Sequence, residues 1–186
     1  MIYRIALMLI LLLQPFLVAA SSSKWSVFLS NPTQDTYRPL VAQIEKCKKK
    51  SCKEDVKPDS QAVRKLVKLV AMNNPYAVDV AFSSLSLLDG GDLEDIIRSL
   101  GLLTESNPEL FLTCINRYHL SDYKLDDLLT MLPLATVDDK KARIETVQKR
   151  INSLSEVTNP QLFKVRDRAL NFLRQFLEEL SILPEM

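Results

Sequence analysis

The chain has 186 residues, and its 24 Lys and Arg nearly balance its 23 Asp and Glu, giving a net charge of +1. A balanced chain exerts no long-range attraction on polyanions, so we predict no nucleic-acid partner. Only three glycines are present. Strand-rich folds need many tight turns with positive φ, which glycine usually supplies, so the composition predicts an all-α protein.

The first twenty residues have the layout of a secretory signal peptide. Arg4 precedes an apolar run over Ile5–Leu13, and small residues end at Ala20. A transmembrane anchor is the competing interpretation, but the run is short for a span and Gln14-Pro15 interrupts it. We therefore predict cleavage after Ala20, membrane contact only through the cleaved peptide, and a periplasmic or secreted location.

Two further segments follow the predicted signal peptide. We expect residues 21–30 to form an extended lead-in whose Trp25 and Phe28 pack on the body, and residues 31–186 to form a single all-helical domain. Asn-Pro occurs four times in that domain. Asn caps a helix by accepting a hydrogen bond from an early N–H, and Pro suits the first helical position. These starts indicate either a degenerate repeat of helical hairpins or one capping signal used several times.

Apolar periodicity predicts about eight helices in chain order. Asp89-Gly90-Gly91 is expected to end the third helix, and Asp92 to cap the fourth. Short connections make consecutive helices antiparallel, so we predict hairpins packed as a compact bundle or as a short solenoid resembling HEAT or tetratricopeptide arrays. The predicted spans are approximately 32–47, 60–72, 75–88, 93–100, 108–118, 122–132, 138–154 and 160–182.

The three cysteines are Cys47, Cys52 and Cys114. An exported chain meets an oxidising compartment, and Cys47 and Cys52 are the pair nearest in sequence, so we predict a disulfide between them. Cys114 lies in the apolar run Phe111–Ile115. We predict that it is a buried free thiol, which behaves as a small apolar residue.

No pattern in the chain indicates catalysis or a bound cofactor. The single histidine, His119, lies at a predicted helix end, and Gly-x-Ser-x-Gly is absent. The Cys47–Cys52 spacing has no second Cys or His pair that would complete a zinc site, and there is no glycine-rich phosphate loop. We predict a protein that is not an enzyme and holds no metal or cofactor. An enzyme with an unrecognised site is the second alternative.

Two charged segments are candidate partner-binding sites. A lysine cluster can bind an acidic partner or an anionic polymer, although such runs are more often solvated faces. An acidic glycine loop can protrude into the cleft of another protein, although a helix end followed by a helix cap explains the same residues. The candidate residues are Lys46, Lys48, Lys49, Lys50, Lys53, Asp89, Gly90, Gly91 and Asp92.

Taken together, these features predict an exported, non-enzymatic protein that binds another protein. An immunity protein or an inhibitor of a toxin or enzyme acting on the cell wall is the specific case that fits. The alternative is an envelope structural or assembly factor that uses the lysine cluster on an anionic polymer or an acidic partner. The sequence does not set the oligomeric state.

Overall fold

The computed structural model describes residues 23–50 and 56–182, and every regular element in these ranges is helical. The all-α prediction is therefore confirmed. The described residues form ten α-helices and two short 3-10 turns, at Leu134–Thr136 and Pro160–Leu162. The α-helices are α1 (Lys24–Ser30), α2 (Gln34–Lys50), α3 (Ser60–Ala71), α4 (Pro75–Ser84), α5 (Gly90–Gly101), α6 (Leu103–Ser106), α7 (Pro108–Tyr118), α8 (Asp122–Thr130), α9 (Lys140–Ser155) and α10 (Phe163–Ile182).

Three of the four Asn-Pro pairs begin helical segments, as predicted. The side chains of Asn74 and Asn107 accept hydrogen bonds from the first turns of α4 and α7. Asn159 caps the 3-10 turn that leads into α10. The fourth pair does not start a helix, because Asn31 is the C-cap of α1 and α2 begins at Gln34.

Helix α1 corrects the expectation of an extended lead-in. Trp25 and Phe28 lie three residues apart, so a helix turns both toward the core, where both are buried. The indole Nε1 of Trp25 donates to the main-chain carbonyl of Val56 at 2.8 Å. The Ser23 hydroxyl accepts from the N–H of Ser26 at 3.1 Å and caps the helix.

The start of α5 corrects a second expectation. Asp89 occupies the N-cap position, and the helix begins at Gly90 rather than after Asp92. Gly90 has a φ of +52°, which glycine adopts without a Cβ penalty. The glycine pair therefore begins α5, since α4 has already ended at Ser84.

The helices form two rows that alternate along the chain. Helices α1, α3, α5 and α8 contact one another in that order, as do α2, α4, α7 and α10. Helix α9 packs along α10 and also contacts α6 and α7. This alternation is that of stacked hairpins, and a continuous apolar core is buried in the stack. The solenoid form of the fold prediction describes the arrangement. Across the described ranges, each helix is too short or too polar to cross a bilayer.

One glycine and one arginine allow α5, α8 and α9 to pack closely. A Cβ on Gly101 would lie 2.7 Å from the Leu128 carbonyl oxygen, so only glycine permits this approach of α5 to α8. The Arg150 side chain of α9 is fully buried and donates through Nη1 to the Leu129 carbonyl at 2.7 Å. Its Nε lies 3.5 Å from the Glu105 carboxylate. Burial lowers the pKa of Arg150, and the Glu105 charge opposes that shift.

Candidate protein-binding surface around helix α8

Helix α8 is a short element with one buried and one outward face. His119 ends α7 in the left-handed conformation (φ 45°, ψ 49°), as its helix-end position predicted. Two residues later the Ser121 hydroxyl accepts from an early α8 N–H at 3.5 Å, which starts the next helix. Leu125, Leu128 and Leu129 are buried against the core. The outward face carries a tyrosine, a lysine and three aspartates.

An apolar groove lies between α5 and α8, and we call it the α5/α8 groove. Its volume is about 120 Å³. Small-molecule sites begin near roughly 300 Å³, so this space fits a single apolar side chain rather than a cofactor. Tyr123 borders the groove and is 75% exposed. The lining residues are Leu85, Leu93, Ile97, Tyr123, Lys124, Asp127 and Leu128.

A second groove, the α8/α10 groove, lies on the other flank of α8. Its volume is about 320 Å³. Phe172 and Phe176 are one turn apart on α10, and each is half-buried. Asp126 and Thr130 supply the α8 side of the groove, and Gln175 and Glu179 complete the α10 side. We call the two grooves together with α8 between them the α8 surface.

Three carboxylates of the α8 surface have no basic partner within the described residues. Asp126, Asp127 and Glu179 make no ion pair there, whereas Asp122 at the start of α8 binds Arg168 of α10, with Nε 2.8 Å from the carboxylate. Burial raises the pKa of Asp127, and the charge of Asp126 raises it further. The α8 surface therefore combines an apolar floor with unpaired negative charge.

A second polar cluster, which we call the Asp79 cluster, is buried in the other row. Asp79 of α4 accepts a hydrogen bond from the Tyr37 hydroxyl of α2 and pairs with Arg117 Nη1 of α7 at 2.5 Å. The Tyr118 hydroxyl donates to the Asp79 main-chain carbonyl at 3.2 Å. These bonds join three consecutive helices of one row.

The two tyrosines and the cysteine around Asp79 are held in their neutral forms. Burial, and then the Asp79 carboxylate, raise the pKa values of the Tyr37 and Tyr118 hydroxyls. Burial also raises the pKa of the Cys114 thiol to about 12. A thiol with such a pKa carries almost no thiolate at neutral pH, and thiolate is the nucleophilic form. The Asp79 cluster therefore has a structural role.

The lysine cluster falls partly outside the described residues. Lys46 is exposed on α2. Lys48 pairs with Glu45 at 2.7 Å, and its Nζ lies 5.6 Å from the centre of the Tyr118 ring. Lys49 and Lys50 are the last residues of α2, and Lys53 lies outside the described residues. A binding role for these lysines stays a prediction.

The two predictions about the cysteines have different outcomes. Cys114 is free and buried, which confirms its predicted state. Cys47 is buried near the end of α2, and Cys52 lies outside the described residues. The Cys47–Cys52 disulfide therefore stays a prediction.

The predicted acidic loop is attached to the start of α3. Asp89 pairs with Lys57 at 2.7 Å, and Asp92 accepts from the Ser60 hydroxyl at 2.9 Å. Asp92 directly precedes Leu93, so the loop borders the α5/α8 groove at its α5 end. A Cβ on Gly90 or Gly91 would meet no atom within 4 Å. A role for this loop in binding a partner stays a prediction.

The described residues contain no group of three or more His, Cys, Asp or Glu placed to hold a metal ion. No local pattern in the sequence indicates the α8 surface. Its residues come from three separate segments, and only packing brings these together. What the surface offers chemically is an apolar cleft, an exposed tyrosine and carboxylates, which are features of protein interfaces.

No protein-family model and no solved structure matches the chain. It is similar to the CCR4-NOT transcription complex subunit 10-A of Xenopus laevis, with 28% identity over 104 residues. It is also similar to subunit 10-B of the same organism, with 26% identity over 104 residues. The matched stretch is 56% of this chain but 14% of the length of each relative.

These relatives correct the predicted location. They are subunits of a transcription complex in a eukaryote, so the prediction of a periplasmic or secreted protein is wrong. That prediction depended on residues 1–20, which lie outside the described residues, and an apolar run followed by small residues is not specific to export. The immunity, inhibitor and envelope predictions depended on that location. Binding to another protein, which the immunity and inhibitor predictions share, does not depend on it and agrees with similarity to subunits of a complex.

Proposed function

We propose that the chain is a non-enzymatic helical scaffold that binds another protein through the α8 surface. The observation that carries this proposal is Tyr123, which is 75% exposed at the border of an apolar groove. An exposed aromatic ring is unfavourable in water, and a partner that covers the ring stabilises the complex. The similarity to subunits of a protein complex supports the proposal, over the stretch that it covers.

The arrangement of two grooves on either flank of α8 supports recognition of a segment of chain. Two grooves flank one short helix, and each combines buried or half-buried apolar side chains with exposed polar ones. Interfaces concentrate their binding energy in a few aromatic and arginine residues packed into such clefts. A helix or an extended segment lying along α8 would cover both grooves at once.

The proposal is tested by purifying the full chain with bound proteins from cells that express it naturally and comparing two variants. Tyr123→Ala removes the exposed ring, and we expect the amount of a stoichiometric partner to fall by about tenfold or more. Met72→Ala is the matched control, because Met72 is also 75% exposed but lies at the end of α3, outside both grooves.

Cross-linking locates the contact independently of the variants. Lys124 lines the α5/α8 groove, so a partner seated there should be cross-linked to it, as peptide mass mapping would show. Equal recovery of the partner with the Tyr123 and Met72 variants, and cross-links confined to other helices, would contradict the proposal.

A further inference from the structure

We infer that the partner segment is basic and amphipathic, with an apolar side chain in the α5/α8 groove and a Lys or Arg against Asp127. This inference rests on the proposed function and names the chemistry of its partner. It predicts further basic residues on the other flank of α8, facing Asp126 and Glu179.

The apolar part of the inference comes from the size of the α5/α8 groove. A volume of about 120 Å³ excludes a large planar ligand and accepts the end of a Leu, Ile, Met or Phe side chain. Ile97 and Leu128 are buried in the groove, so such a side chain would meet an apolar floor. Burying it stabilises the complex by roughly 25 cal/mol for each Å² removed from water.

The basic part of the inference comes from carboxylates that make no ion pair within residues 23–50 and 56–182. One borders the α5/α8 groove at Asp127, and two border the α8/α10 groove at Asp126 and Glu179. Lys124 is the single basic residue among those that line the two grooves. The chain does pair Asp122 with Arg168, so α8 carboxylates are within reach of arginines on α10. The unpaired three are complementary to basic residues of a partner.

The half-buried position of Asp127 favours this pairing over a solvated surface. Burial and the neighbouring Asp126 charge already oppose its ionised form. A cation brought to the groove would favour the ionised form and so offset both effects. Its charge-assisted hydrogen bond to Asp127 would form at a place from which water is partly excluded. The same carboxylates would repel an anionic lipid surface or a phosphate backbone, which makes a protein segment the favoured occupant.

Adjacent residues of a helix are turned by about 100° from each other. Asp126 and Asp127 accordingly line opposite flanks of α8. One bound metal ion cannot engage both flanks, but a segment with basic residues on two sides of an apolar one can. The geometry therefore points to a segment that lies along α8 with an apolar side chain between charged ones.

The test is a selection of random displayed peptides on the purified full chain, followed by removal of all peptides that still bind Tyr123→Ala. We expect the remaining peptides to carry Lys or Arg within one helical turn of Leu, Ile, Met or Phe. Their synthetic versions should bind Asp127→Asn about fivefold to tenfold more weakly than the native chain. Asp95→Asn is the matched control, because Asp95 is exposed on α5 outside both grooves, and its change should be less than about twofold.

The outcomes separate this inference from the proposed function. Peptides that depend on Tyr123 but are acidic or uncharged, or that bind Asp127→Asn as well as the native chain, would overturn the inference and leave the proposed function standing. A selection in which no peptide depends on Tyr123 would overturn both. A chain that forms dimers dissociated by Tyr123→Ala would show that the occupant is a second copy, which also overturns the inference.

Discussion

The Asp79 cluster and the α8 surface both place carboxylates beside aromatic rings, but they differ in whether the chain itself supplies a partner for the carboxylate. Asp79 is 5% exposed, and its own chain provides the Tyr37 hydroxyl and the Arg117 guanidinium. Asp126 and Asp127 are half-buried and make no ion pair within the described residues. A fully buried charge without a partner costs several kcal/mol, whereas one in contact with water costs little. The degree of burial therefore decides which carboxylates must be satisfied internally and which are left for another molecule.

The largest expected effect comes from Arg117→Leu. This change leaves the Asp79 carboxylate buried with the Tyr37 hydroxyl as its remaining side-chain partner. Because an uncompensated buried charge is the costly outcome, we expect the free energy of unfolding to fall by about 3 kcal/mol. Chemical denaturation followed by circular dichroism measures this loss.

Arg168→Leu is the control for that experiment. It also removes an arginine from an ion pair, but its partner Asp122 has a side chain that is 76% exposed. Water can solvate that carboxylate once the arginine is gone, so the loss should stay within about 1 kcal/mol. Losses of equal size in the two variants would break the comparison between buried and exposed carboxylates.

A smaller effect is expected from Asp79→Asn, which removes the buried charge and keeps the shape. The Arg117 side chain is 58% exposed and can turn to water, so no buried charge remains unpaired. We expect a loss of about 1 kcal/mol from the weaker hydrogen bonds. The double variant with Arg117→Leu should lose less than the sum of the two single changes, because the neutral amide does not need the arginine. Additive losses, measured in the same denaturation experiment, would contradict this account.

The sequence predicts the helices of this fold where local chemistry decides them. Asn74, Asn107 and Asn159 each have a Pro after them, and each caps a helical segment. Helix α1 escapes prediction because it has seven residues and is held by the contact between Trp25 and Val56, 31 residues apart in sequence. The start of α5 escapes because a glycine pair usually signals a helix end, while here Gly90 supplies a positive φ at a beginning.

Neither the Asp79 cluster nor the α8 surface follows from local chemistry. Tyr37 and Arg117 are 42 and 38 residues from Asp79, and no spacing rule connects them. One signal was present: Asp79 stands within the apolar stretch of α4, and a charge on a buried helix requires a partner. Tyr123 carries no such signal, because an aromatic residue in the polar first turn of a helix is common. Only packing places Leu85 and Leu93 beside it.

The smallest expected effect is that of Asp127→Asn on stability. This variant tests the comparison at the α8 surface rather than at the Asp79 cluster. The pKa of Asp127 is raised in the folded chain, first by burial and then by Asp126, so the folded state binds this proton more tightly than the unfolded state does. The group therefore favours folding below its unfolded pKa, and that contribution is lost as the pH rises through the raised value. At neutral pH the ionised carboxylate slightly destabilises the folded state. Removing its charge should leave the free energy of unfolding unchanged or raise it by about 0.5 kcal/mol. The difference between native chain and variant should disappear in acid, as denaturation curves at several pH values would show. A clear loss of stability at neutral pH would mean that Asp127 is satisfied within the chain, like Asp79, and is not free for a partner.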